Sequence, residues 1–540
     1  MRPRLGIIAV TVVLALTGCS GGSSDPKPET SGGDGASRSA QKAEPEGAAA
    51  PGPADIGPDD FADQAETIVD SFSDDELAGS LIIGTWSGTD AQTGADLVEN
   101  NHLGGVIVMA DNLPEEPTPD QVKGVTDAIK GARSTGQPVS IGVDQEGGPV
   151  SRLSTGALPF PPLMALGAAQ DPELTQTATQ VQAQNLTDLG FTIDFAPTAD
   201  VTTGEKDVAI NVRSAGDDHK DVAEVVAQAA TGYHLGGVAS SAKHFPGHGR
   251  LHSDSHESLP VSKKSIKDLE DTDLLPFKSA VRVGIPMVMM GHIGLPDAKT
   301  TPATLNKRAY SALRDTLDFD GVIVTDALNM KAVDQNQGGG ETVRALSAGA
   351  DIALMPPDSA AAQRAVVKAM KNGDLKKDAL QKKAERVVAM QLATAETQKT
   401  IAGGGAASAE DPRDVLTDVA EKSLTVLKGE CAFEGTDAIS IVGGSEKEKS
   451  ALADAAKDAG LAVGSEGTRV SLSPNTSAEV AVGTAAPWTM RDTSANTAVT
   501  AYDSNPNALG AVAKWLKGDL TATGTLPVDY DGSDKAPDCG

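Results

Sequence analysis

Short apolar runs punctuated by helical stretches are the feature that most narrows what this chain can fold into. They fall at 80–84, 104–109, 138–143, 191–196, 237–242, 287–290, 321–324 and 352–355, eight in all. The segments between them are long enough for a crossover helix, so consecutive strands would lie parallel. Eight such units predict a closed (β/α)8 TIM barrel. A doubly wound open sheet is the alternative, but no Gly-rich dinucleotide fingerprint follows the first run. Ser73-Asp74-Asp75-Glu76 reads as a capping box opening a helix just before that run.

The flanks of this region read differently. Arg2 and Arg4 precede an apolar run at 5–16, too short to span a bilayer comfortably. It ends in Leu16-Thr17-Gly18-Cys19, which resembles a bacterial lipobox, in which the cysteine is lipidated and becomes the mature N-terminus. An ordinary cleaved signal peptide is the alternative, and either implies export. Residues 1–18 are therefore assigned to the signal segment and 19–59 to a tether. The tether is rich in Ser, Gly, Pro, Ala, Glu and Asp, too polar to offset its ordering entropy. The barrel is assigned to 60–398. A smaller unit at 411–540 alternates strand and helix signals and is expected to form an αβα sandwich. It carries no cluster of His, Cys or paired carboxylates, so a packing or accessory role is its default. The formal net charge of −30 argues against nucleic acid or an anionic membrane surface as partner.

Polar residues gather just after the apolar runs: Asp144 with Gln145 and Glu146, Asp194 with Asp200, Lys243 with His244, His292, and Asp326. In a barrel these positions open on one face, so separate segments converge on one pocket. The densest is Lys243-His244-Phe245-Pro246-Gly247-His248-Gly249, running on to Asp254-Ser255-His256. Four of the chain's eight histidines (His244, His248, His252, His256) fall in it. Pro246, Gly247 and Gly249 argue against a helix, so the histidines are placed on a loop leaving the strand. A polar surface loop is the plain reading of one histidine, but not of this density.

The residue types suggest a chemistry. Retaining glycoside hydrolysis needs a carboxylate nucleophile on one side of the sugar and a proton donor on the other. Asp326 follows a strand and would reach the pocket mouth. His256 could serve as acid and then base, with Asp254 two residues away to orient it.

At this point the motifs match a family. Val143-Asp144-Gln145-Glu146-Gly147-Gly148, Phe195-Ala196-Pro197 with Asp200-Val201, the Lys243 to His256 stretch, and the strand ending at Asp326 together resemble glycoside hydrolase family 3. They are most similar to the bacterial β-N-acetylglucosaminidases of the NagZ type. The resemblance runs from about Phe61 to Ala393, with all motifs in order. The second unit resembles the family's C-terminal αβα domain more loosely, through order, size and the ending Gly524-Thr525-Leu526-Pro527-Val528. It implies Asp326 as nucleophile through a covalent glycosyl–aspartate, His256 as acid/base and Asp254 as its partner. Asp144, Arg152, Arg213, Lys243 and His244 would hold the sugar's hydroxyls and N-acetyl group. His248 and His252 are given no role beyond loop structure. The chain departs from the family where Pro149 follows Glu-Gly-Gly, where Ala327 follows the nucleophile, and at Ser214-Ala215. These leave every catalytic group in place and alter the edge of the pocket, where the aglycone would sit.

The reading is therefore an exported hydrolase of terminal β-N-acetylglucosaminides, peptidoglycan fragments fitting the compartment. It would be lipid-anchored to the outer face of the cytoplasmic membrane, monomeric, and free of metal or other cofactor. A family 3 β-glycosidase and a phosphorolytic enzyme, with phosphate instead of water as acceptor, keep the fold. A metal hydrolase built on the histidines and a silent carbohydrate-binding lipoprotein are the remoter rivals. With Cys19 used for lipid in an oxidising compartment, Cys431 and Cys539 remain and are expected to pair.

Overall fold

The computed structural model describes residues 52–132, 138–251, 253–333, 338–404, 410–530, 533 and 536–540. The export segment, Cys19, the tether up to 51 and His252 lie outside the described residues. Each of the eight apolar runs contains a strand: β1 Ile82–Gly84, β2 Gly105–Ile107, β3 Ser140–Val143, β4 Ile193–Asp194, β5 Ala239–Phe245, β6 Met287–Met290, β7 Val322–Thr325 and β8 Ala353–Leu354. They hydrogen-bond in the order β7-β6-β5-β4-β3-β2-β1-β8, all parallel. A parallel bridge between Val324 and Ile352 joins the two ends into a barrel.

The strands read as continuous apolar runs because both faces are covered. Met287, Met289, Val322 and Val324 pack with Ile83, Ile107, Ile193 and Phe195 from the other strands, filling the interior. Their neighbours Val288, Met290 and Ile323 pack outward on Val222, Phe277 and Leu313 of the helical layer. The capping box forms as expected: Ser73 Oγ accepts from the Glu76 amide at 3.2 Å, and Glu76 accepts from the Ser73 amide at 2.8 Å.

Two expectations need correction. Lys243 and His244 are not on a loop. Strand β5 continues through Phe245, because Lys243 pairs with Thr198 across the sheet and the Asp200 carboxylate accepts the His244 amide. The local breakers Pro246 and Gly247 act only after that point. The last residues assigned to the tether are also folded, since Pro53 and Ile56 are buried in short turns of helix.

A second sheet follows: β9 Thr425–Lys428, β10 Ala438–Val442, β11 Ala462–Val463, β12 Thr468–Ser471, β13 Val480–Gly483 and β14 Thr497–Thr500. Its order is β9-β14-β13-β12-β10-β11, with only β9 antiparallel. One face (Ile439, Val470, Val482, Val499) packs on Leu452, Leu509, Val512 and Trp515 from helices Glu446–Asp458 and Pro506–Lys517. The opposite face (Leu427, Ala481, Ala498) packs on Met490, Ala495 and Leu526. Cys431 and Cys539 are disulfide-bonded, with Cα atoms 5.7 Å apart. Among the described residues no helix is long and apolar enough to cross a membrane.

Candidate active site

The C-terminal ends of the barrel strands open into one cavity of about 320 Å³. All eight residues nominated for catalysis or sugar binding line it: Asp144, Arg152, Arg213, Lys243, His244, Asp254, His256 and Asp326.

One wall is a charge cluster. Strand β3 ends at Val143, Asp144 follows it, and the chain then turns back in a hairpin, Gln145–Gly147 against Val150–Ser151. Gly147 permits the turn: its φ is +92°, and a Cβ there would stand 2.2 Å from the Pro161 carbonyl oxygen. Lys243 Nζ, almost fully buried, lies 2.8 Å from Asp144 Oδ1 and 2.6 Å from Glu146 Oε1. Arg213 grips Glu146 with two parallel bonds, Nε to Oε2 at 2.7 Å and Nη2 to Oε1 at 2.8 Å. Burial would raise the Glu146 carboxyl, but Arg213 and Lys243 outweigh it and hold it well below the usual range. Burial would lower Lys243, and Asp144 with Glu146 turn the balance upward. Arg152 Nη2 stands 4.0 Å from Asp144 Oδ2, with its side chain about one-third exposed at the rim.

A second buried carboxylate organises the histidines. Asp200 accepts from the amides of His244 and His248, at 3.2 and 2.6 Å, and meets His244 Nδ1 at 2.7 Å. That bond leaves His244 Nε2 for a ligand. His248 is buried beside them, and neither ring nitrogen has a hydrogen-bond partner. Burial pushes its pKa down to about 4, so the ring is neutral near pH 7.

Asp326 follows β7, its amide bonded to the Met290 carbonyl at 2.9 Å. Its Oδ1 accepts the Ala327 amide at 2.7 Å. Burial would raise this carboxyl, but His292, His244 and that amide outweigh it and hold it ionised. His292 is buried, which lowers its pKa, and has Nε2 2.8 Å from the Ala327 carbonyl. A carbonyl only accepts, so Nε2 carries a proton, while Nδ1 lies 2.5 Å from Thr304 Oγ1, whose hydroxyl donates to the Gly291 carbonyl at 3.1 Å. The imidazole thereby clamps the residue that follows Asp326.

Across the cavity, His256 is exposed on a short loop. Asp254 Oδ1 binds both its amide, at 2.9 Å, and Nδ1, at 2.8 Å. Nδ1 is thus committed to the carboxylate, and Nε2 is free to face a ligand. The site so drawn has an ionised carboxylate, a carboxylate-oriented imidazole and a wall of paired charges that could bind hydroxyl and amide groups. The sequence alone assigns no catalytic or binding role to Glu146, Asp200, His248 or His292, although the first three lie within its motifs and His292 follows an apolar run. Among the described residues no group of three His, Cys, Asp or Glu is arranged to hold a metal ion.

Fold and site together define a barrel enzyme that cleaves glycosidic bonds. Residues 75–390 match the Glycosyl hydrolase family 3 N terminal domain, and the chain belongs to that family. Among curated relatives, Beta-hexosaminidase LpqI of Mycobacterium tuberculosis is 34% identical over 335 residues, covering 59% of this chain and 82% of the relative. Beta-hexosaminidase A of Pseudoalteromonas piscicida is 33% identical over 284 residues, 48% of this chain, which spans only 47% of that longer protein. A family 3 β-N-acetylglucosaminidase structure from Paenibacillus sp. str. FPU-7 superposes with a TM-score of 0.73 at 27% identity, covering 85% of this chain and 99% of that one.

Proposed function

We propose that this chain is an exported β-N-acetylhexosaminidase that removes terminal β-linked N-acetylglucosamine with retention of anomeric configuration. The observation that carries the reading is that Asp326 and the Asp254–His256 pair line one cavity with the Lys243, Asp144, Glu146 and Arg213 cluster. Relatives bearing the name β-hexosaminidase support the choice of sugar.

In the first step Asp326 attacks the anomeric carbon while His256 Nε2–H protonates the departing glycosidic oxygen. The C–O bond to the aglycone breaks as the bond to Asp326 forms. Asp254 holds the imidazole by Nδ1 and so leaves Nε2 to meet the glycosidic oxygen. In the second step His256 takes a proton from water, which displaces Asp326 and returns the β-anomer. Asp144, Lys243, His244, Arg152 and Arg213 bind the sugar's polar groups. The Leu16 to Cys19 lipobox pattern supports a lipid anchor on the outer face of the cytoplasmic membrane, where peptidoglycan fragments are a source of substrate.

Purified protein assayed on 4-nitrophenyl β-glycosides of N-acetylglucosamine, glucose and xylose tests the reading. Release should be fastest from the N-acetylglucosaminide. Preference for glucose, or no release from any of the three, would overturn it. Adding phosphate and looking for a sugar 1-phosphate separates hydrolysis from phosphorolysis.

A further inference from the structure

The second domain packs on the segment that carries Arg213. We infer that this domain is a working part of the sugar-binding wall: Trp488 and Val528 hold the 207–213 loop, and through it the Arg213 guanidinium, in place. The inference rests on the sugar-binding role proposed for Arg213.

The loop has little regular structure of its own, only a turn of 3-10 helix at Asn211–Arg213. From inside, it is folded over one carboxylate. Asp207 Oδ1 accepts the amides of Ala209 and Ile210, at 3.2 and 2.9 Å. Its Oδ2 accepts the Asn211 amide at 3.3 Å and the Thr202 hydroxyl at 2.8 Å. The guanidinium is tied to the same loop, since Arg213 Nη1 donates to the Ala209 carbonyl at 3.2 Å. Ala209 and Ile210 also line the cavity. Wherever the loop goes, the guanidinium and that edge of the pocket go with it.

From outside, the loop rests on the second domain. Val212, adjacent to Arg213 and 6% exposed, is buried in a cluster that includes Trp488, Tyr502 and Val528 together with Met164 of the barrel. Leu526 packs against this cluster and also against Leu427, Ala481 and Ala498 of the second sheet, so the contact is continuous with that domain's core. The segment around Pro527 is fixed to the barrel by backbone bonds: Thr525 N to Ala168 O at 2.9 Å and Asp217 N to Pro527 O at 3.1 Å. Asp529 N adds a bond to Asp217 Oδ2 at 2.7 Å. The Arg491–Glu205 ion pair crosses the same boundary but is too exposed to contribute much. Without the domain, Val212 would lose its partners on one side, leaving the loop to Asp207 and to the pull of Glu146 on the guanidinium itself.

A domain that merely seals apolar surface would predict lost stability with an unchanged site. A double-mutant cycle in the full chain separates the two. Trp488→Ala should raise KM for the aryl N-acetylglucosaminide about tenfold, within the hundredfold that an ångström of misplacement can cost, with kcat little changed. In an Arg213→Met background the same substitution should add almost nothing, because the group it positions is gone. Equal factors in both backgrounds, or an unchanged KM in the first, would overturn the inference. Val528→Ala repeats the cycle should Trp488→Ala fail to fold. Amide exchange of the peptide spanning 207–213 needs no substrate and should accelerate in Trp488→Ala while strand β5 stays protected. If wild type cleaves no aryl glycoside, the proposed function fails, and this exchange still decides the inference. Unchanged loop exchange would then overturn it.

Discussion

Asp194 is the buried carboxyl whose replacement gives the most quantitative test of the charge layout under the pocket. It ends β4, is fully buried, and accepts the Gln145 amide on Oδ1 at 3.0 Å, while Oδ2 has no hydrogen-bond partner. Burial pushes this carboxyl up to about 7, with Asp144 and Glu146 adding to the rise and the Gln145 amide and Lys243 opposing it. The folded value lies above the unfolded one, so the stabilisation of the neutral form is complete below about pH 4 and is lost as pH rises through about 7. The whole difference, 3.8 against about 7, corresponds to on the order of 4 kcal/mol. Asp194→Asn keeps the shape and the acceptor but cannot ionise. Relative to wild type it should therefore gain stability between pH 5 and pH 8 by on the order of 2–3 kcal/mol, since part of the wild-type loss already falls below pH 5. Urea unfolding of both proteins at the two pH values measures this. Taking the difference removes titrations common to both, including His248, whose lowered pKa acts in the opposite sense. A variant whose stability relative to wild type is the same at pH 5 and pH 8 would refute the reasoning.

Other perturbations follow from the same geometry. His256→Ala should cut cleavage of poor leaving groups by about 10²–10⁴-fold yet cost far less for a dinitrophenyl glycoside, whose phenolate needs no proton; equal losses would reduce His256 to a binding residue. Asp254→Asn should impair the same step more mildly, because the imidazole stays but loses the carboxylate on Nδ1; a loss as large as that of His256→Ala would contradict the orienting role. Replacing Cys431 and Cys539 by Ser should destabilise the second domain by up to about 4–5 kcal/mol, given a sequence separation of 108 residues; an unchanged unfolding midpoint would speak against a tie that matters. Cys19→Ala should shift the protein out of the membrane fraction, and a variant that stays membrane-bound would make the anchor assignment wrong.

The barrel was legible in the sequence because its strands are buried on both faces, so most appear as short runs of apolar and small residues. In the second sheet β11 and β12 are partly exposed, and neither makes such a run, so the sequence marks them only weakly. Asp326 was legible because it follows a strand, and Lys243 and His256 because they sit in a dense motif. The partners that tune them were not. Glu146 meets Arg213 across 67 residues of chain, and Asp200 meets His244 across 44. Pairings that distant leave no local periodicity. Position after an apolar run brings such residues to the right face of the barrel, but their contacts arise only on closure. The extension of β5 was missed for the same reason: Thr198 and Asp200 hold Lys243 and His244 in the sheet against the local pull of Pro246 and Gly247.

The central claim is that Asp326 becomes covalently bonded to the sugar. Trapping the enzyme with a slowly released fluorinated N-acetylglucosaminide, then digesting it and sequencing the labelled peptide by mass spectrometry, tests this most directly. The account predicts one glycosyl adduct on Asp326, no adduct in Asp326→Asn, and β-configured product from the wild type. A label on another residue, or no label together with α-configured product, would contradict it.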